Sequence, residues 1–405
     1  MQALLLCPQY STSCLTGPVK RALQIKKLLE YCGYRVIIAC KNPQSVESIY
    51  HHGNIFNQLL KKCSVVYADA YHMASFQLRK KTKAFILVDL YIPFFIEHRH
   101  SLPFRYSKNQ LVANYQLDQA YLNEALYGGD AFLAAGERQI NLYSGLMYLF
   151  DRHYDGDLPL LNLPFLLNPI YLKKTKTKMT HLAWLGGAWH WFDMISVINL
   201  LKVWLHKNPN LKFSFLGIEH PTDNRLHNSD HIEEAKNLLA QFPNQVQIIP
   251  WLNYQDYCTW LQKLDLAIIV SKTGNESRFS IRTRFCELIE RQIPIICNDG
   301  DYFSDWIQRY KLGQIVNNET LPQSLEFWKN NHSIQPSAYR EIYKSHSFEI
   351  LAPRFKKFLE SSQNLKPKIQ NPYLRLKPQG LYYRKHQMRK FSNSFIDKIL
   401  LSMHD

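Results

Sequence analysis

Three arginines and two glutamates fall within Glu276–Glu287 (ESRFSIRTRFCE). Ile281, Phe285, Leu288 and Ile289 follow the i, i+4, i+7, i+8 spacing of a buried helical stripe, which predicts a helix over Ile281–Arg291. Arg282 and Arg284 then stand in its first turn, with Arg278 just before it. A helix N-terminus is the positive end of the dipole and ordinarily carries Asp or Glu. Arginines there are suited to an anion, and guanidinium forks fit a diphosphate. The plainer alternative pairs them with nearby acids, for which Asp299 and Asp301 are candidates.

Several other places carry residues of the right kind. In CPQYSTSCLTGPVKRALQ, Gly17 opens a helical pattern with Lys20 and Arg21 in its first turn. Glycine lets a phosphate or sugar approach the backbone, and the free N–H groups of a helix start point outward. An ordinary strand-to-helix loop with Pro18 at its start is the simpler alternative. In WLGGAWHWFD, Gly186 and Gly187 end a strand and leave room for a ligand. Trp189 and Trp191 either pack internally or line a cleft, and Asp193 could cap the next helix. VDLYIPFFIE puts Asp89 at the end of an apolar strand, facing an expected cleft. Glu137, Arg138 and Gln139 either bond a sugar or form a charged first helical turn, and Asp299–Asp301 either caps a helix or meets a ligand.

These groups need a scaffold to bring them together. Ala3–Leu6, Arg35–Cys40, Ser64–Ala68, Ala84–Leu90 and Ala131–Ala135 read as strands, with a helix over Val19–Tyr31. A stretch broken by Pro159, Pro164 and Pro169 leads into Lys173–Lys178 (KKTKTK), the expected interdomain linker. Strands then resume at His181–Leu185, Lys212–Ile218, Val246–Pro250, Asp265–Val270, Pro294–Asn298 and Gly313–Val316, again separated by helical patterns. Such alternation implies βαβ units and parallel sheets. The expected architecture is α/β: two consecutive Rossmann-like doubly wound domains around an interdomain cleft. They cover 1–172 and 173–344, followed by a helix over 345–360 interrupted by Pro353, and a basic tail over 361–405. Open sheets of this kind bind ligands beyond the carboxyl ends of their strands, where the groups above fall.

The 405 residues carry 49 Lys+Arg against 33 Asp+Glu, a net charge of +16. Such an excess favours nucleic acid, an anionic membrane surface or a phosphorylated ligand. Its distribution argues against nucleic acid: four lysines stand in 173–178 and eight basic residues in 361–396, neither with an acid. No run reaches the ~18 apolar residues of a membrane span. The start MQALLLCPQYS lacks the pattern of a signal peptide, so a cytoplasmic protein is expected. The eight cysteines include no CxxC, the histidines show no metal-site spacing, and GxGxxG is absent. Buried free thiols, no metal and no dinucleotide cofactor are expected.

Taken in order, VDLYIPFFIE, GGDAFLAAGERQINLYSGL, WLGGAWHWFD, FLGIEHP, the WxNYQDY of Trp251–Tyr257, and ESRFSIRTRFCE followed by Pro294 and NDGD resemble a branch of the family 4 glycosyltransferases. The resemblance spans most of the chain. It implies the GT-B fold, with a nucleotide-sugar donor held mostly by the second domain and a glycan or lipid-linked acceptor by the first. It also implies a C-terminal helix crossing back to the first domain, retention of anomeric configuration, and no metal or other cofactor. Residue by residue, it implies that Glu287 bonds the nucleotide ribose. Where the wider family has another Glu eight positions earlier this chain has Phe279, and Glu276 is the carboxylate that could reach the sugar hydroxyls. No Lys or Arg follows Gly187 before Asp193, so the diphosphate is expected on Arg278, Arg282 and Arg284. Asp89 is expected near the acceptor hydroxyl or anomeric centre. A nucleotide-sugar epimerase of the same fold, or a non-catalytic membrane-bound partner subunit, are the alternatives.

The tail carries Lys366, Lys368, Arg375, Lys377, Arg384, Lys385, Arg389 and Lys390, interleaved with Tyr373, Tyr382 and Tyr383. It is either a peripheral anchor on the inner membrane face, each basic residue contributing ~1 kcal/mol, or a solvated terminus. An anchor suits an enzyme of cell-surface polysaccharide or glycolipid synthesis.

Overall fold

The computed structural model describes residues 1–11, 15–43, 45–104, 106–150, 152, 157–169, 179–218, 230–330 and 336–365. The apolar runs form two sheets. The first holds β1 (Gln2–Leu6), β2 (Arg35–Cys40), β3 (Ser48–Tyr50), β4 (Val65–Asp69), β5 (Phe85–Asp89), β6 (Ala131–Ala134) and β7 (Leu160–Asn162), in the order β3-β2-β1-β4-β5-β6-β7. The second holds β8 (His181–Trp184), β9 (Lys212–Leu216), β10 (Val246–Ile249), β11 (Leu266–Ile269), β12 (Ile295–Asn298) and β13 (Gly313–Val316), in the order β10-β9-β8-β11-β12-β13. Every strand pairing within these sheets is parallel. The two doubly wound α/β domains expected from the alternation are therefore both present.

Parallel strands are covered by helices on both faces, so they read as continuous apolar runs. Leu4, Leu5, Val65, Val66, Leu87 and Val88 are fully buried, as are Leu182, Ile268 and Ile295 in the second sheet. The sequence pattern misses β3 and β7, which are three-residue edge strands too short to show a period. In each sheet the strand order reverses at one place, between β1 and β4 and between β8 and β11. Those reversals open the crevices in which such folds take their ligands.

The stretch leaving the first domain is packed as far as Leu167. Leu163 and Leu166 join the first-domain core, whereas Phe165 and Leu167 join the second. The Pro-broken stretch thus serves both cores; Lys173–Lys178 lies outside the described residues. At the C-terminal end the helix expected over 345–360 is present as Phe348–Asn364, and a further helix precedes it. Pro336–His346 packs Tyr339 and Ile342 on the second domain. Ser347 then resets the backbone, and Phe348–Asn364 packs Leu351, Ala352, Phe355 and Leu359 beside Val19, Ala22 and Ile25 of the first-domain helix Gly17–Tyr31. Pro353 lies inside this helix without ending it. Burial of its apolar stripe outweighs the one helical bond a proline removes. The basic residues from Lys366 onward lie outside the described residues.

Candidate functional site

A cleft of about 1010 Å³ runs between the domains. Loops after β1, β2, β4 and β5 form one wall, and loops after β8, β9 and β10 with Ser280–Glu287 form the other. Gly17, Gly186, Gly187, Arg282, Arg284 and Glu287 all line it. Gly187 has φ +75, in the left-handed region that glycine alone adopts easily. A Cβ at Gly186 would come within 3.0 Å of the Trp184 ring and 3.2 Å of Phe192, so bare backbone reaches the cleft here. Trp189 and Trp191 stack at 4.7 Å with planes 5° apart, and both line the cleft. Asp193 makes no side-chain cap; its backbone N–H donates to the Val270 carbonyl instead.

The arginine segment differs from the expected single helix. A short helix Asn275–Phe279 ends at extended Ser280, and a second runs over Arg284–Glu290. Arg282 therefore lies between helices rather than in a first turn. Its guanidinium grips Glu276 with Nη1–Oε1 2.6 Å and Nη2–Oε2 2.5 Å, and its Nε sits 3.4 Å from Asp301. All three side chains are buried. Burial alone would favour losing the Arg282 charge, but Glu276 and Asp301 outweigh it and hold the guanidinium ionised. Asp301 also accepts from Ser271 Oγ and caps Phe303 N, so capping and pairing coexist there. Arg284 lies 4.8 Å from the Trp251 ring centroid and 4.6 Å from that of Tyr257. Glu287 is bridged at 3.3 Å by Lys20 from the first domain and at 3.3 Å by the Tyr257 hydroxyl. Burial opposes the Lys20 charge, yet Glu287 raises its pKa above the ordinary lysine value.

Three expected site residues do not line the cleft. Arg278 is exposed, its guanidinium 5.5 Å from the Phe279 ring. Glu276 is 1% exposed and committed to Arg282. Asp89 is also 1% exposed; it accepts from Arg21 Nε at 2.7 Å, the Tyr67 hydroxyl at 3.0 Å and Tyr91 N at 3.1 Å. Both carboxylates are fully supplied with donors and hold other groups in place.

Asp69 and Glu97 bring carboxyls to the first-domain wall of the cleft; Glu97 is the last residue of VDLYIPFFIE, quoted above only as part of a motif. Its Oε1 accepts from Ser280 Oγ of the second domain at 3.1 Å. Burial, and then Glu276, push its pKa up to about 7, against the pull of Arg282, Ser280 and His98. Beside it His98 Nδ1 pairs with Asp118 at 2.8 Å, and His72 Nδ1 pairs with Asp69 at 2.5 Å. Both histidines line the cleft. Among the described residues no group of three or more His, Cys, Asp or Glu is placed to hold a metal ion.

Glu137–Gln139 forms the first turn of the helix Glu137–Leu149, and from it Arg138 and Gln139 reach the second domain. Gln139 Nε2 donates to the Phe279 carbonyl at 2.8 Å and to the Tyr91 carbonyl at 2.7 Å. Arg138 donates to the Gly300 and Asp301 carbonyls at 3.3 and 3.1 Å and pairs with Asp305 at 2.6 Å. A Cβ at Gly17 would touch Thr283 at 3.3 Å. The first domain thus grips Phe279–Glu287 at Phe279, Ser280, Thr283 and Glu287.

No family model and no curated protein matches the chain. Solved structures do. A sucrose-phosphate synthase from Thermosynechococcus elongatus is 10% identical, with TM-score 0.63 over 89% of this chain and 99% of that one. A trehalose-6-phosphate synthase is 10% identical, with TM-score 0.62 over 91% and 100%. An alpha-glucosyltransferase in complex with UDP and a 13-mer DNA is 12% identical, with TM-score 0.59 over 90% and 100%. Identity this low speaks to the fold alone, and over nearly the full length of each chain that fold is the two-domain GT-B arrangement of glycosyltransferases.

Proposed function

We propose that the chain moves a sugar from a nucleotide-sugar donor to a hydroxyl acceptor across this cleft. The division of the cleft carries this reading: the guanidinium groups and the bare Gly186–Gly187 backbone on the second-domain wall, the Asp69 and Glu97 carboxyls with His72 and His98 on the first, and aromatic rings on both. Breaking an anomeric bond puts negative charge on the departing diphosphate and positive charge on the sugar. Preorganised donors stabilise the first, and holding the acceptor in place lowers the entropic part of the barrier. In this reading the diphosphate lies against Arg284, the Gly186–Gly187 backbone and the start of helix Gly17–Tyr31, whose first turn has no acid. Glu287 receives the ribose, sharing or releasing Lys20. Arg282, fixed between two carboxylates, adds its field without swinging. Glu276 and Asp89 are positioning residues, acting through Arg282 and Arg21. The alpha-glucosyltransferase neighbour, which was captured with UDP, supports a nucleoside diphosphate as a ligand of this fold.

Retention, independence of metal and a hexosyl donor rest on the family resemblance. Attachment to anionic membrane, and with it a role in cell-surface polysaccharide or glycolipid synthesis, rests on the tail charge. No described helix is long and apolar enough to cross a membrane. The full chain should sediment with anionic vesicles and a chain ending at Leu365 should not, while both bind donor. Equal sedimentation of the two removes the tail as anchor.

Labelled nucleotide-sugars without acceptor test the reaction. Slow release of free sugar, diminished in Arg284→Ala and Glu287→Gln, is the expected result. Recovery of intact donor with one sugar stereocentre inverted would mean an epimerase. Failure of every nucleotide-sugar to bind would mean a non-catalytic subunit.

A further inference from the structure

The first-domain wall has a built polar and aromatic surface. Tyr71, Phe94 and His98 line the cleft in mutual edge-to-face contact, with centroids 5.6 Å apart for Tyr71–Phe94, 6.0 Å for Phe94–His98 and 6.3 Å for Tyr71–His98. Tyr91 also lines the cleft; it is 5% exposed, and its hydroxyl has no hydrogen-bond partner. A buried hydroxyl left unmatched costs about 1–3 kcal/mol, and such groups in native proteins call for an explanation. Burial, and then Asp69, hold this phenol protonated, so it is a ready donor.

Charge on this wall is arranged against an anion. Its acids are Asp69 and Glu97. Its basic groups are His72, bound to Asp69, His98, bound to Asp118, and exposed Lys41 beyond β2. The two cleft guanidiniums, Arg282 and Arg284, stand on the opposite wall, and Lys20 is paired with Glu287. A phosphate or carboxylate placed here would meet two acids, and the guanidinium whose field reaches Glu97, Arg282, is already paired with Glu276 and Asp301. A neutral sugar ring offers hydroxyls for Tyr91, Glu97 and His98 and a C–H face for aromatic rings.

We infer that this wall is a subsite for an uncharged sugar ring at the end of a glycan acceptor, its hydroxyls held by Tyr91, Glu97 and His98 and its C–H face by Tyr71 and Phe94. The subsite rests on the glycosyltransferase reading and names its acceptor class. A carboxyl titrating near neutrality both donates to and accepts from sugar hydroxyls, as Glu97 is placed to do. A lipid-linked acceptor would keep its phosphates off this wall and present only its terminal sugar.

Saturation-transfer NMR on the full chain tests this with maltose, cellobiose and lactose against glucose 6-phosphate and glucuronic acid. At least one neutral saccharide should bind saturably, with both anionic sugars about tenfold or more weaker. Tyr91→Phe, which removes only the unmatched hydroxyl, should weaken that binding about fivefold to tenfold. Tighter binding of either anionic sugar, neutral binding indifferent to Tyr91→Phe, or no saturable neutral binding would each overturn the subsite. Stabilisation by UDP, read separately on the parent and Tyr91→Phe, reports the donor wall. Its absence counts against the glycosyltransferase reading, and its persistence without saccharide binding counts against the subsite alone.

Discussion

Arg282 is held between Glu276 and Asp301 in a site that water barely reaches. Removing one partner of a buried ion pair leaves the other charge uncompensated, at about 3–5 kcal/mol. Arg282→Ala should therefore lower unfolding stability by that order in denaturant titration, whereas Arg284→Ala, at a half-buried position, should cost about 1 kcal/mol or less. Equal losses would mean that the buried network is not what holds Arg282. Glu97 carries a pH signature. Its folded pKa of about 7 lies above the ordinary carboxyl value of 4.5, so its favourable contribution is complete below the ordinary value and lost as pH rises through 7. Glu97→Gln should stabilise the protein by ~1–2 kcal/mol at pH 8 after allowance for partial exposure, and by almost nothing at pH 4. A pH-independent effect would contradict this environment. Gly186, Gly187 and Arg284 were legible as cleft residues because strand ends and local spacing place them, whereas Glu287 was reached through the family resemblance. Asp89 and Glu276 were not, because whether a carboxylate is free depends on its partners. The partner of Asp89 lies 68 residues away at Arg21. Glu97 was hidden for the same reason, since Ser280, Glu276 and Arg282 reach it from the other domain.

At the scale of elements, the helix Glu137–Leu149 enters the interface through Gly136. A Cβ there would lie 1.6 Å from the Tyr302 hydroxyl and within 2.6 Å of its ring. Gly136→Ala should cost ~1–3 kcal/mol through overpacking, and Tyr302→Ala should relieve part of it, giving a less than additive double-mutant cycle. Additive costs would mean that the two residues do not meet. This contact was unreadable from sequence, where Glu137–Gln139 looks like an ordinary charged first turn. The strands were readable because each is a short apolar run buried on both faces. The helix over Ile281–Arg291 was half right: Phe285, Leu288 and Ile289 keep their stripe, but extended Ser280 and the buried pairs of Arg282 break the helix before Arg284. The Pro353 break failed for the opposite reason, because apolar packing on Gly17–Tyr31 overrides a local signal.

At the scale of the molecule, two similar sheets face each other across one cleft with unlike walls. The first-domain grip on Phe279–Glu287 ties the cleft-facing arginines to the domain interface. The strong net charge of the chain belongs mainly to the Lys173–Lys178 stretch and the tail, so the guanidiniums and bare backbone of the cleft are a local feature and not part of a broad basic face. Sugar transfer across this cleft requires a nucleoside diphosphate to bind the second-domain wall. Thermal unfolding of the full chain with UDP, GDP, ADP, dTDP and CDP measures it most directly. One of them at about 100-fold its dissociation constant should stabilise the parent by about 2.7 kcal/mol, and the shift should shrink sharply in Arg284→Ala. No shift with any of the five, or a shift untouched by Arg284→Ala, would contradict it.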